Sequence, residues 1–492
     1  MEKIISMLLV AVLVLSLCAC GAAAPGESSA APTETAASPA FMAGYGKVDI
    51  TPQESGVPMS GYASSSERLS TGLASYLYAI AVAVQDEAGN IAVMVSLDHG
   101  GLSILHTDNL RRWAEKKLGI PKENVLIASI HQHSTPDPDN KAFPSSMRYQ
   151  EYMLKGIKEA ITTAVEDLSP AEVYIATATT EALSFVRHYW AKDGTLCGDG
   201  FGSFASGLVS HESESDKEMR LVKFVREAGN EIVMVNFQGH PHMGTSGLQT
   251  DVHSDWPGVM RDAVTEQLGV DCIYFSGAGG NLNSTSRITS ENITTDFRDH
   301  GKRAAEYVVN AEGSYTKVNT GTIRCKEITI AYEADHSMDH LLNNALIVHE
   351  ARLRNSEEAR ALLNTYTEFH SIYHASAVVA KAQEGPTRDI TISAITFGDV
   401  AVTVHPYEMF DTNGMELRGG SVGNENYDAE DQLENPFKMT VISTIGNGSN
   451  GYIPSRMGYT NGGYSTDITK YGPGTGEQLV GDYLRLLNEL HD

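Results

Sequence analysis

Four apolar runs in this chain each end in a histidine or a carboxylate, and that recurrence constrains the fold more than any other feature. The clearest is Asn124-Val-Leu-Ile-Ala-Ser-Ile-His131-Gln-His133-Ser-Thr-Pro136. A buried strand over 125–130 gives way to two histidines two residues apart, then to a polar, proline-broken loop. In an extended segment residues i and i+2 face the same side, so His131 and His133 are expected to point into one cleft. The run 231–237 ends in Gln-Gly-His240-Pro-His242, the run 91–97 in Asp98-His99-Gly, and the run 400–404 in His405-Pro-Tyr-Glu408. A polar residue after one strand says little. Four such endings point to one metal site at one edge of one sheet, because ligands of open α/β sheets bind outside the carboxyl ends of the strands. The expected fold class is α/β: a large mixed β-sheet flanked by helices, with the metal site at the C-terminal ends of strands.

Composition narrows the function classes. Acidic residues outnumber basic ones 62 to 36, for a net charge of −26, and they are scattered. Nucleic-acid binding needs a basic face, so no nucleic-acid partner is expected. Cys197, Cys272 and Cys325 lie in the body without a Cys-x-x-Cys spacing. They form neither a disulfide framework nor a thiolate zinc site, which leaves histidines and carboxylates as metal ligands.

Near the N-terminus, Lys3 precedes an apolar run over 7–17 that is too short to span a bilayer and fits a signal segment. It ends in Leu17-Cys18-Ala19-Cys20-Gly21, which resembles a bacterial lipoprotein lipobox. The expectation is a signal peptide over 1–19, a lipid on Cys20, a flexible Ala/Ser/Pro/Thr-rich tether over 20–40, and one hydrolase domain over 41–492. Such a protein is extracytoplasmic, anchored by its lipid to a membrane of the bacterial cell envelope.

Along the body, strands are expected at 77–85 and 91–97 around a turn at 86–90, at 173–177, and as a hairpin at 219–225 and 231–237. Further strands are expected at 272–275, 389–397, 400–404 and 439–445, with an edge-like strand at 321–332. Helical periodicity marks 107–118, 147–168, 257–268, 297–310 and 476–491. Residues 338–381 read as two helices. The Gly-, Tyr- and Asn-rich stretch 446–476 is too aromatic for a linker and reads as an ordered loop near the site. No internal repeat is visible.

Neutral imidazoles with one carboxylate suit Zn²⁺, with a position left for a water whose pKa the ion lowers to about 7. His131 and His240 are the first-choice imidazole ligands and Glu408 the carboxylate. His133 and His242 stand as ligands, proton shuttles or substrate contacts. Asp98 and Asp255 are candidates to orient the imidazoles; Asp255, just before Trp256-Pro257, also suits a helix cap. The segment Ser276-Gly277-Ala-Gly279-Gly280-Asn281-Leu-Asn283-Ser284 lacks the Gly-Lys-Ser/Thr of a nucleotide loop. It reads either as an oxyanion or substrate-binding turn or as a tight strand–loop connection.

Taken in order, these motifs resemble the neutral/alkaline non-lysosomal ceramidase family. The resemblance starts at Gly46-Lys-Val-Asp-Ile-Thr-Pro52 and Ser60-Gly-Tyr62, and runs through Val95-Ser-Leu-Asp98, His131-Gln-His133-Ser, His240-Pro and Ser254-Asp255-Trp-Pro-Gly. It continues with Gly277-Ala-Gly-Gly-Asn281-Leu-Asn283, His405-Pro-Tyr-Glu408, Asn450-Gly-Tyr452-Ile-Pro and Gly462-Gly-Tyr464, covering nearly all of 42–490. It implies a zinc amidase that cleaves the N-acyl bond of ceramide to sphingosine and a fatty acid. One Zn²⁺ would be held by His131, His240, Glu408 and Tyr452. Tyrosine is outside the common zinc ligands, so Tyr452 rests on the resemblance alone.

The chain departs from the family at two places. The family's Gly-Asp-x-Ser-Pro is here Gly280-Asn281-Leu-Asn283-Ser284, which puts Asn283 in place of a functional serine. The family's Pro-Gly-Glu is here His405-Pro-Tyr-Glu408. The expected enzyme is therefore a zinc-dependent amidohydrolase that uses activated water on ceramide or a related N-acylated, lipid-like substrate. His133 would assist proton transfer, and Asn283, Gly277, Gly279, Gly280 and Ser284 would meet the substrate or its oxyanion. Two rivals stand beside it: a two-metal phosphoesterase or esterase built from His131, His133, His240, Asp98 and Asp255, and a non-catalytic surface lipoprotein that binds a glycan or lipid.

Overall fold

The alternation of side chains along one strand shows how the layers arise. In Tyr78–Gln85, Ala79, Ala81 and Ala83 pack into a core on one face, while Ile80, Val82 and Val84 pack into another core on the opposite face. A strand buried on both faces belongs inside a layered structure, and this one lies within a large sheet. The computed structural model describes residues 40–61, 65–198, 205–244, 250–419 and 433–491. The expected signal peptide, Cys20, all but the last residue of the tether, and Tyr62 lie outside the described residues.

The main sheet contains β1 (Met42–Asp49), β2 (Tyr78–Gln85), β3 (Ile91–Leu97), β4 (Val125–Ser129), β5 (Ser169–Thr179), β6 (Glu218–Arg226), β7 (Ile232–Phe237) and β8 (Asp271–Ser276). Their order is β8-β7-β6-β5-β1-β2-β3-β4, and a short strand, Thr316–Lys317, pairs with β5. Both ends of the sheet are parallel pairs, β3 with β4 and β7 with β8, and the pairings between them are antiparallel. A second, four-stranded sheet holds β9 (Ile323–Glu333), β10 (Thr387–Phe397), β11 (Val400–Val404) and β12 (Met439–Ser443), with β11 and β12 parallel. The 321–332 segment is the edge strand β9.

The two sheets share a core. Ile80, Val82, Met94, Leu126, Phe224 and Phe275 from the first pack with Ile395, Phe397, Val402 and Val441 from the second. Helices α1 (Ile104–Leu118), α2 (Pro144–Glu166), α3 (Asp255–Leu268) and α4 (Phe297–Asn310) cover the outer face of the first sheet. Helix α11 (Thr475–His491) covers the second. The expected α/β class, a large mixed sheet flanked by helices, is observed.

One supersecondary unit occurs three times among the described residues although the sequence shows no repeat. Each unit is an antiparallel hairpin, a helix, and a strand parallel to the hairpin's second strand. The units are β2-β3-α1-β4, β6-β7-α3-β8 and β10-β11-α8-β12, where α8 spans Asp411–Leu417. The backbone pattern recurs because hydrophobic periodicity and chain handedness permit few ways to build it, and many different side chains satisfy both.

The 338–381 region contains three helices rather than two: α5 (Leu342–Arg354), α6 (Ser356–Leu362) and α7 (Ile372–Lys381). The break comes at Asn355, whose side chain accepts from the Glu357 and Glu358 amides and so caps α6. These helices form an excursion between β9 and β10 with a small core of its own. Two short helices, α9 (Arg456–Asn461) and α10 (Tyr464–Ile468), precede α11. Among the described residues no helix is long and apolar enough to cross a membrane.

Candidate active site

All three units bring the carboxyl ends of their parallel strands to one cavity. It is lined by His131 after β4, by Gln238, Gly239 and His240 after β7, by Gly277, Gly279 and Gly280 after β8, by Glu408 after β11, and by Thr444 and Ile445 after β12.

The histidines meet. The rings of His131, His133 and His240 lie 5.0–5.1 Å apart centre to centre, edge to face. One nitrogen from each lies within 4.8 Å of the others. His133 Nε2 is 3.1 Å from His240 Nε2, and His131 Nε2 is 3.2 Å from Glu408 Oε2. His242 joins the group, its ring 4.7 Å from that of His240 and 5.8 Å from that of His133.

His131 and His133 share a side, but not because the chain there is extended. Strand β4 ends at Ser129, and His131 has φ +66°, a left-handed conformation that costs a non-glycine residue about 1–3 kcal/mol. The fold holds it there: its amide donates to His99 O, and its Nδ1–H donates to Gly100 O at 2.7 Å. A carbonyl oxygen only accepts, so Nδ1 carries a proton, and in the neutral ring the Nε2 lone pair faces the cavity.

Burial first, then the neighbouring imidazoles and Arg187, hold the pKa values of His133 and His240 well below the ordinary histidine range. Both rings are therefore neutral, the form that ligates a metal. For His131, burial also works against protonation, but the charge and hydrogen bond of Glu408 outweigh it and raise the pKa. Three imidazoles with nitrogens within 4.8 Å of one another, and the Glu408 carboxylate beside His131, are a donor set that fits a divalent transition metal.

Glu408 is placed by a two-residue parallel pairing, Glu408–Met409 against Tyr452–Ile453, in which Glu408 stands opposite Tyr452. Tyr452 is thus brought beside the carboxylate. His405, by contrast, is buried with Nδ1 toward Tyr483 OH at 3.1 Å on α11, and burial lowers its pKa to about 3.

The two aspartates do not orient the imidazoles. Asp98 receives both Arg261 guanidinium nitrogens, at 2.7 and 2.6 Å, and the Tyr78 amide. This buried pair pins α3 to the end of β3. Asp255 accepts from its neighbour Trp256 N at 2.7 Å and from Gly244 N at 2.8 Å. It fixes the loop after His242 and the start of α3, and burial raises its pKa to about 6.

The glycine-rich turn is also corrected in part. The Gly277 and Gly280 amides donate to Phe237 O and Met409 O, so neither is available to an oxyanion. A Cβ on Gly279 or Gly280 would stand 2.4 Å from Gln238 O or 2.5 Å from Glu408 O. These glycines let three strand ends close around the cavity. Ser284 is buried and its hydroxyl donates to His240 O at 2.7 Å, which makes it a brace for the histidine rather than a nucleophile. Asn283 is buried in a two-residue strand paired with Phe185–Val186. Asn281 exchanges hydrogen bonds with Asp411: its Nδ2 donates to Oδ1 at 2.7 Å, and its Oδ1 accepts the Asp411 amide at 2.9 Å. An aspartate at 281 could not donate the first of these.

Two contributors had roles that the sequence did not reveal. Arg187 is buried, donates to Gly280 O at 2.8 Å and to Ser465 Oγ, and lies 5.5 and 5.9 Å from the ring centres of Tyr452 and Tyr464. It sits on no periodic pattern, and only contact across the fold reveals it. Gly61 of Ser-Gly-Tyr has φ +108°, and a Cβ there would stand 2.6 Å from His133 Cβ. The motif is visible in the sequence; its purpose is not.

The geometry defines an α/β protein with a histidine-rich cluster able to hold a metal at converging strand ends. In comparison with known proteins, residues 41–264 match the family model described as neutral/alkaline non-lysosomal ceramidase, N-terminal. The resemblance first carried by the motifs is borne out. Neutral ceramidase 3 of Arabidopsis thaliana is 26% identical over 209 residues, which cover 38% of this chain and 25% of that protein. The fold matches the crystal structure of neutral ceramidase from Pseudomonas aeruginosa with a TM-score of 0.64 at 18% identity, over 92% of this chain and 74% of that one. A ceramidase complexed with C2 matches with a TM-score of 0.65 at 16% identity, over 92% and 75%.

Proposed function

We propose that this protein is a zinc-dependent amidohydrolase that cleaves the N-acyl bond of ceramide or a related lipid-like amide by activated water. The observation that carries the reading is the convergence of His131, His133, His240 and Glu408 at one cavity in a ceramidase-like fold. His131, His240 and Glu408 hold the ion, with Tyr452, opposite Glu408, as a fourth ligand. When bound, the ion polarises the scissile carbonyl and lowers the pKa of water to about 7.

The chain's own groups do the rest. Gly100 O, through Nδ1 of His131, keeps that ring's other nitrogen turned inward. His133 Nε2 takes the proton of the attacking water and returns it to the leaving amine nitrogen. Asn283 hydrogen-bonds near the scissile group, and Arg187 braces Tyr452 against the turn at Gly280. The protein works at a membrane of the bacterial cell envelope, held by a lipid on Cys20, a reading supported by the Leu-Cys-Ala-Cys ending of its N-terminal apolar run. Cys20→Ser should move it from the membrane to the soluble fraction, and a soluble wild type would refute the anchor.

The deciding experiment loads the purified protein with zinc and offers N-acylated sphingoid lipids, simpler N-acyl amides and phosphoesters. Release of fatty acid from the N-acyl lipids is expected. Hydrolysis of phosphoesters alone would move the assignment to the phosphoesterase reading, and turnover of none would leave a binding protein.

A further inference from the structure

A second group of metal-ligating side chains lies outside the cavity just described. His370 directly precedes the N-cap of α7, and His374 lies in its first turn. Asp467 belongs to α10. The three arrive from the helical excursion and from the C-terminal part of the chain, and one ligand atom from each lies within 4.8 Å of the other two. His370 Nδ1 is 2.8 Å from Asp467 Oδ2, and His374 Nδ1 is 3.6 Å from the same oxygen.

The tautomer of His374 is informative. Its Nδ1 accepts the His370 amide at 3.3 Å, so Nδ1 carries a lone pair. Its Nε2 points to the Met338 sulfur at 3.0 Å and carries the proton. A cation bound here would take the Nδ1 lone pair from its long 3.3 Å hydrogen bond with the His370 amide and join it to the Asp467 carboxylate oxygen 3.6 Å away. His374 and Asp467 are buried, whereas the His370 side chain is 44% exposed, leaving a path for an ion and its water. Two imidazoles, one carboxylate and an open side suit Zn²⁺; Ca²⁺ and Mg²⁺ prefer an all-oxygen shell.

We propose that His370, His374 and Asp467 form a second zinc site that clips the helical excursion to α10. The consequence lies three residues along α10. Tyr464 packs edge-on against Tyr452, with ring centres 6.0 Å apart, and both rings lie beside Arg187. A five-residue helix has little stability of its own. An ion on Asp467 would hold this helix, and with it the tyrosine wall beside Glu408.

The test counts zinc by elemental analysis in the full-length protein and in His370→Gln, Asp467→Asn and His131→Ala/His240→Ala variants. His370 is half exposed, so its replacement should not endanger folding. His370→Gln and Asp467→Asn are each expected to contain one ion fewer than wild type. In the His131→Ala/His240→Ala background, which removes the cavity ligands, added zinc should still raise the melting temperature, and adding His370→Gln should abolish that rise. The background makes the outcome independent of whether the first site binds metal. Unchanged zinc content in folded His370→Gln and Asp467→Asn would overturn the proposal and leave these residues as an ion pair. So would a double variant that shows no response to zinc.

Discussion

His131 Nε2 and Glu408 Oε2 stand 3.2 Å apart. One follows the last strand of the first hairpin–helix–strand unit, and the other follows the hairpin of the third, so the contact ties the two sheets together at the cavity. If both hold one ion, replacing either should empty that site. His131→Ala, His240→Ala and Glu408→Ala are each expected to lose one metal ion per chain with the fold intact, because the large core lies elsewhere. His133→Ala should keep the ion and lose about a hundred- to ten-thousandfold in rate, the usual contribution of a positioned acid–base group. Metal analysis beside kinetics separates the roles; loss of the ion in His133→Ala would make it a ligand.

Gly61 is where backbone shape protects the site. Alanine there must adopt φ +108° and place its Cβ 2.6 Å from His133 Cβ. The conformation alone costs about 1–3 kcal/mol, and the clash displaces His133. Gly61→Ala should lower the melting temperature and reduce turnover more than it reduces metal content. A variant with wild-type turnover would show that the loop yields at no cost to His133.

Asn283 stands where the motif resemblance implies a serine. As a hydrogen-bonding group it should be important without being indispensable: Asn283→Ala is expected to lose about a hundred- to a thousandfold in rate. Asn283→Ser should shift preference toward ceramide. With activated water as nucleophile no acyl-enzyme accumulates, so rapid-quench kinetics should show no burst; a burst would overturn that mechanism.

Asp411 makes the stability of the fold depend on pH. Burial pushes its pKa up to about 7 while Asn281 and nearby amides hydrogen-bond it. Its folded pKa lies above the unfolded value of about 3.9, so the folded state binds the proton more tightly. The stability this provides is complete below about pH 4 and disappears as pH rises through about 7. Asp411→Asn cannot titrate. The stability of wild type relative to this variant should therefore fall between pH 5 and pH 8, by up to roughly 1.4 kcal/mol per pH unit. Parallel unfolding curves across that range would place the titration elsewhere.

Local pattern made much of the fold readable. Strands 91–97, 125–130 and 231–237 announce themselves through short apolar runs, and their polar endings mark His131, His240 and Glu408. Helix ends drifted by a few residues, and Asn355 hid a break because an N-cap inside helical composition carries no periodic signal. Asp98 and Asp255 were misplaced because a carboxylate's partner is set by what folds against it. Arg261 and the Gly244 amide lie far along the chain from Asp98 and close to Asp255, respectively.

By itself, the sequence determined which segments become strands, that four of them end in histidines or carboxylates, and that the order of its motifs resembles ceramidases. These follow from side-chain periodicity and residue chemistry, which are local. Only the tertiary structure decided that three strand–helix–strand units deliver those ends to one cavity. It also decided that His131 is held left-handed, that Gly277 and Gly280 give their amides to neighbouring backbone, and that His370 and His374 meet Asp467. Each depends on a contact between distant segments, and such contacts arise when the sheets and helices pack, where one backbone's unmet hydrogen bonds and open space select the other.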